Sequence, residues 1–197
     1  AWQADLGGKL SAPVVAGGKV FVADIERHAV QALDAASGKK LWSFTAGARV
    51  DSPPTLWKGR CLFGANDGWI YCLRADDGAL AWRFRAAPLD RRMVARQQIE
   101  SVWPVHGSVL VIADTLYAVA GRWRFLDGGL RLLKLDPATG RKLAETVLDD
   151  RDTQGKDLQD HIKTLNMPVA LADVLQSDGK WLYMKSQRFD MDGKPLD

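Results

Sequence analysis

Two cysteines and three histidines in 197 residues leave little from which a metal centre could be assembled. Cys61 and Cys72 do not form a C-x-x-C pair, and His28, His106 and His161 have no partners at ligand spacing, so no metal site is expected. Long apolar runs are missing too. None approaches the roughly 20 residues of a spanning helix, and the opening AWQADLGGKL lacks the basic and apolar segments of a secretory signal, so neither membrane insertion nor a signal peptide is expected. Charge of one sign is not concentrated: the net charge is +3 and the basic residues are scattered, which argues against nucleic-acid binding. There is no G-x-x-x-x-G-K-[ST], H-E-x-x-H or G-x-S-x-G, so nucleotide hydrolysis, zinc proteolysis and esterase chemistry have no support. Asp190-x-Asp192-Gly193 lacks the later acidic ligands of a calcium loop and reads as a turn.

What the chain does contain is a repeat. Leu33-Asp34, Gly38 and Trp42 return as Leu73, Asp77, Gly78 and Trp82, a period of about 40 residues built from strand-length, valine-rich and aromatic segments. That pattern predicts an all-β propeller of four-stranded antiparallel blades, because a twisted four-stranded sheet leaves both faces apolar until neighbours cover them. The expected organisation is one domain over 1–197, with a blade end at 1–8 and blades at about 11–47, 52–87, 101–148 and 167–197, the last lacking its outer strand. About four blades make either a closed four-bladed ring or half of an eight-bladed one, completed by a second copy or by the remainder of a larger propeller. Pro88 to Glu100 reads as a linker, and Leu158, Ile162 and Leu165, with Asp157 as cap, predict one short helix in the third inter-blade connection.

Cys61 and Cys72 take the places of Val20 and Ala32 in the preceding unit and read as small apolar fillers. They also lie on successive strands of one hairpin, where they could face each other, so a disulfide in an oxidising compartment is the other reading. His106, aligned with Val15 and Leu56 on an inner strand, reads as a buried, hydrogen-bonded histidine.

The turns LDAASGKKLW, LRADDGALAW and LDPATGRKL resemble the repeat of the pyrroloquinoline-quinone-type (PQQ-like) β-propellers. In that family an outer-strand tryptophan docks blade to blade; Trp2, Trp42 and Trp82 match it, whereas the third unit offers only Leu143 or Ala144. RVDSPPT, DGWIYCLRADDG and ESVWPVHGSVLV are similar to segments of large bacterial proteins, planctomycete ones among them, known only for carrying such a propeller. The resemblance implies an extracytoplasmic place, periplasmic or secreted. It also makes PQQ or calcium conceivable, although the vicinal cysteine pair of the quinone-dependent dehydrogenases is absent; no cofactor is expected from the residues themselves. A scaffold branch of the family, in outer-membrane protein assembly, carries the repeat without a cofactor.

The candidate binding face follows from loop length. The turns of one face are minimal, but the other holds Ala48 to Asp51, Asp90 to Glu100 and Gly121 to Gly129, and loops longer than a rigid scaffold needs are where binding usually resides. They gather Arg49, Arg91, Arg92, Arg96, Arg122 and Arg124 with Asp51, Glu100 and Asp127. Guanidinium groups pair with carboxylate or phosphate through a planar fork. Arg49, Arg92, Gln98 and Arg122 are therefore the candidate ligand-binding residues, with Trp123 as a stacking platform; Glu100, Asp51 and Asp127 are the candidate catalytic acids. The other reading is that the arginines and acids merely fasten adjacent blades. Two functions follow: a non-catalytic binding or scaffold module presenting this face to a protein or glycan, or part of a carbohydrate- or alcohol-acting enzyme.

Overall fold

A computed structural model describes residues 1–151, 156, 174–185 and 187–196. These residues form four four-stranded antiparallel sheets, each in simple sequential order. The first comprises β1 (Val14–Ala16), β2 (Lys19–Asp24), β3 (Ala29–Asp34) and β4 (Lys40–Thr45), and the second β5 (Thr55–Trp57), β6 (Arg60–Gly64), β7 (Trp69–Arg74) and β8 (Leu80–Arg85). A separate hairpin follows, β9 (Arg92–Ala95) and β10 (Gln98–Ser101). The third sheet contains β11 (Leu110–Ile112), β12 (Thr115–Ala120), β13 (Leu130–Leu135) and β14 (Lys142–Leu148). The fourth contains β15 (Gln176–Ser177), β16 (Leu182–Met184), β17 (Gln187–Phe189) and β18 (Pro195–Leu196). The fold is an all-β, partial propeller.

The core lies in three slabs between successive sheets, and strand alternation decides which slab each side chain enters. Cys61 and Phe63 turn toward the first sheet, where they meet Phe21, Val30 and Trp42. Leu62, Ile70 and Cys72 turn the other way and meet Leu116, Ala118 and Leu133. Tyr117, Leu130 and Leu132 pack on Leu182, Met184 and Phe189 of the fourth sheet. Both faces of the middle strands are thus buried, and β12 reads as a continuous apolar run rather than as an alternation.

The same register settles the cysteines. Cys61 pairs with Leu73 and Leu62 with Cys72, so the two thiols stand on opposite faces of the sheet and do not face each other across the ladder. Both are free and fully buried, and burial pushes Cys61 up to about 12 and Cys72 up to about 11. Neither thiol should react with a maleimide in the folded protein, and both should react once urea unfolds it, which a mass-shift assay reads directly. Rapid labelling of the native chain, or a Cys61–Cys72 disulfide after mild oxidation, would contradict this register.

One docking device is used three times, once to seat the N-terminal segment on the first sheet and twice to lock adjacent sheets. The indole Nε1 of Trp2 donates to the Ala35 carbonyl at 2.8 Å, that of Trp42 to Ala75 at 3.1 Å, and that of Trp82 to Pro137 at 3.1 Å. Each indole lies on a glycine of the accepting turn, Gly38, Gly78 or Gly140, where a Cβ would come within 2.4, 2.6 and 2.6 Å of the ring. All three glycines have φ of +73°, so both the conformation and the close approach demand glycine. At the third interface Ala144 holds the place of tryptophan, opposite Lys134 and just before the same bulge. There Tyr117 Oη donates instead to the equivalent carbonyl, Met191, at 2.8 Å.

Several expectations change. Residues 1–9 form no strand; Trp2 docks on the first sheet as expected of a blade end, but only Leu10 makes a bridge, to Asp24, because no described strand lies alongside for 1–9 to pair with. Pro88 to Glu100 is not a plain linker, since β9 and β10 lie within it or overlap it. The fourth sheet possesses the outer strand expected to be missing, in the two residues of β18. No helix occurs among the described residues, and the one expected at Leu158 to Leu165 lies outside them.

Candidate functional site

Ala48 and Val50 are buried in the core, and the alternation of an extended segment sends Arg49 and Asp51 to the loop face. The backbone of Asn66 fixes this segment: its N–H donates to the Arg49 carbonyl at 2.8 Å, and its carbonyl accepts from Ser101 N–H at 2.7 Å, tying β10 to the same point. The Asn66 amide then bridges Asp51 Oδ2 at 2.8 Å and Glu100 Oε1 at 3.3 Å. Arg49 grips Asp51 as a fork, with Nη2 at 2.6 and 2.7 Å from its two oxygens and Nε at 3.0 Å, and its Nη1 lies 3.8 Å from Glu100. His106 Nδ1 and Arg96 Nη1 approach Asp51 Oδ2 at 3.7 and 3.6 Å, electrostatic distances rather than hydrogen bonds. Burial alone would raise the Asp51 carboxyl, but the contact with His106 and the hydrogen bonds from Arg49 and Asn66 outweigh it and hold the group well below the usual carboxylate range.

Above this network lies an open basin of about 500 Å³ lined by Lys9, Ile25, Arg49, Asp51, Arg96, His106 and Arg122. A second hollow of about 290 Å³ adjoins it, sharing Lys9, Arg49 and Arg96 and adding Glu26 and Gln98. The β9–β10 hairpin is braced across the face, because Gln98 Oε1 meets His28 Nε2 of the first sheet's middle loop at 2.9 Å.

Of the candidate residues, Arg49, Asp51, Glu100 and Arg122 converge on or beneath the basin, and Gln98 lines its neighbour. Asp127 stands behind, paired with Arg122. Arg92 and Trp123 are not brought to the basin. Arg92 is exposed on β9 with Asp90 at 3.2 Å, and Trp123 sets its ring edge against Phe125. Arg124 donates to the Asp149 and Arg151 carbonyls and fastens a loop.

Two polar residues that line the basin were missed. His106 is not on an inner strand: β11 starts at Leu110, so Val111 takes the place of Val15 and Leu56, and the imidazole is partly exposed beside Asp51. Lys9 was legible through the repeat. Its carbonyl accepts from Ile25 N–H as the Arg49 carbonyl does from Asn66 and the Pro104 carbonyl from Gly121, so Lys9 and Arg49 hold equivalent places about 40 residues apart.

A family model described as outer membrane protein assembly factor BamB matches residues 1–185. The chain belongs to that family. Within it, the chain is 30% identical over 96 residues to the outer membrane protein assembly factor BamB of Burkholderia pseudomallei, a match covering 48% of this chain and 25% of that protein. It is equally 30% identical over 107 residues to the dehydrogenase subunit of a quinone alcohol dehydrogenase from Gluconobacter oxydans, covering 47% of this chain and 14% of that subunit. The crystallised quinohemoprotein alcohol dehydrogenase ADHIIG of Pseudomonas putida superposes with a TM-score of 0.71 at 18% identity, over 95% of this chain and 33% of its own. The BamB-family chain described here thus spans a quarter or less of its curated relatives. Quinone relatives raise the matter of fit. Among the described residues no three histidine, cysteine or acidic groups converge to hold a metal ion, the two thiols lie buried on opposite sheet faces, and Trp123 stands outside the basin. The described residues therefore do not make a quinone and calcium site.

Proposed function

We propose that this chain is a binding or scaffold module of the BamB family, rigid blades that present the basic loop face to a protein or glycan. The observation supporting it is the state of the three candidate acids. Asp51 is gripped by Arg49 and Asp127 is paired with Arg122, so each serves to fix a cation in place, while Glu100 is buried against the Asn66 amide. A carboxylate held far below the ordinary range is also a poor proton donor or base near neutral pH. The family name points to an assembly partner at the outer membrane, hence to an extracytoplasmic place, with the rest of a larger propeller or a second copy completing the ring.

The test is a photocrosslinker placed at residue 94 on the hairpin, and in a second variant at residue 19 on the opposite face. Capture of a discrete partner from residue 94 alone is the expected result. Equal capture from both positions would overturn the reading. The second reading, part of an alcohol- or carbohydrate-acting enzyme, rests on the likeness to the quinone dehydrogenase subunit. It requires turnover that falls when Glu100→Gln and Asp127→Asn are made.

A further inference from the structure

The basin holds more positive charge than its own acids neutralise. Arg49 is fully engaged by Asp51 and Glu100. Arg96 comes no nearer to Asp51 than 3.6 Å and makes no hydrogen bond there. Arg122 gives one edge to Asp127, while its Nε is buried with no acceptor. Lys9 makes no ion pair with any described residue, yet lines both hollows. Three cations whose charge is only partly answered therefore surround one cavity, where an anionic ligand would find charge-assisted donors.

The hairpin turn places one of these cations. A two-residue hairpin turn of type I′ needs positive φ at both central residues, which Asn-Gly supplies with little strain. Here the residues are Arg96 and Gln97, at φ of +49° and +63°. The β11–β12 turn, Ala113-Asp114, uses the same left-handed pair, so the conformation sets geometry rather than marking a site. Its effect at Arg96 is to set the guanidinium above Asp51, on a hairpin already braced by Gln98 and His28.

Other polar groups stand beside the cations: His106 in the basin itself, and Glu26 and Gln98 in the adjoining hollow that shares Lys9 and Arg96. A bare anion would have no use for the acceptors, and a neutral sugar no use for three cations. At about 500 Å³ the basin is also larger than an inorganic ion needs and lies within the range of about 300–1,000 Å³ usual for small-molecule sites.

We propose that this basin binds a monosaccharide unit bearing an anionic group, with Lys9, Arg96 and Arg122 on the carboxylate or phosphate, and with His106 and the Glu26 and Gln98 side chains of the adjoining hollow on the hydroxyls. The proposal deepens the reading of the loop face as a recognition surface and rests on it, but the two fail separately: the crosslinking experiment reports on a partner, and the titration below on the basin alone.

The probes are glucuronate, glucose 6-phosphate, glucose and inorganic phosphate, titrated by calorimetry into the whole chain at low salt. At least one acidic sugar should saturate the protein and bind about tenfold or more tighter than glucose and than phosphate, and which of the two does so identifies the anionic group. Arg122→Gln and Lys9→Gln should each weaken that binding by about tenfold, the loss of one charge-assisted contact. The paired change Arg96→Asn with Gln97→Gly should weaken it similarly while raising Tm, because it relaxes the turn as it removes the guanidinium; this arm is immune to misfolding. Neither acidic sugar binding more tightly than both glucose and phosphate, no saturation by either acidic sugar below about 10 mM, or unchanged affinity in the Arg122→Gln protein would each overturn the proposal.

Discussion

Trp42→Ala should lower the unfolding free energy by about 3–5 kcal/mol, the range for emptying a large aromatic site in a core. Trp42 is 8% exposed, packs its ring 5.9 Å from that of Phe21, and covers Gly78. Truncation opens a void between two sheets and leaves the Ala75 carbonyl without its donor. Two companion variants divide the effect. Trp42→Phe keeps most of the apolar area and loses the hydrogen bond, about 1 kcal/mol of it. Gly78→Ala keeps the indole but drives a Cβ to 2.6 Å from it at a φ of +73°, so it should cost about 2 kcal/mol or more through steric conflict and left-handed backbone together. Urea titration followed by circular dichroism measures all three. A Trp42→Ala cost no greater than that of Trp123→Ala, on the exposed loop, would show that the docking device does not hold the blades.

That device explains why the architecture could be read so directly. The tryptophan and the turn glycine on which it lies recur in the sequence at the same period as the blades, because the Trp42 and Trp82 pairs are joints between two blades and the Trp2 pair docks the preceding segment on the first. Where the joint is made otherwise, the pattern fails: Ala144 gives no hint that Tyr117 reaches the Met191 carbonyl in place of an indole. The β9–β10 hairpin was illegible for a related reason. Its turn is Arg96-Gln97, without the glycine or asparagine that usually announces one, and Arg-Met-Val-Ala alternates too weakly to stand out from a polar linker.

The candidate site was legible by loop length and charge but not by direction. Arg49 and Asp51 reach the basin because Ala48 and Val50 are drawn into the core on either side, a consequence of alternation. Arg92 sits on the exposed face of β9 with Val94, and no count of sequence separation tells which face of a free hairpin turns inward. His106 was misplaced because the third blade's first strand starts later than the proline spacing implies. Lys9 lies outside the long loops altogether and is recovered only when Arg49 is recognised as its counterpart in the next repeat.

Asp51→Asn should cost about 2–5 kcal/mol near neutral pH, since it leaves Arg49 without the charge it grips, in a setting where the two side chains are only 11% and 17% exposed. Its effect should also depend on pH in a defined sense. The folded carboxyl titrates well below the usual range, whereas in the unfolded chain it returns to about 3.9. A depressed folded value means that this stabilisation is complete above the unfolded value and declines as pH falls toward the folded one. The difference in stability between the native protein and Asp51→Asn should therefore be constant from pH 7 to about pH 5 and roughly 1 kcal/mol smaller at pH 3. Taking the difference removes the other perturbed carboxyls, because Asp77 and Asp114, lowered by surface hydrogen bonds, and Asp67, raised by burial, are present in both proteins. A difference that stays flat to pH 3 would mean that Arg49 is held by Glu100 and the backbone rather than by Asp51. The hydrogen bonds place the stronger grip on Asp51, whose two oxygens lie within 2.7 Å of Arg49 Nη2, against 3.8 Å from Nη1 to Glu100.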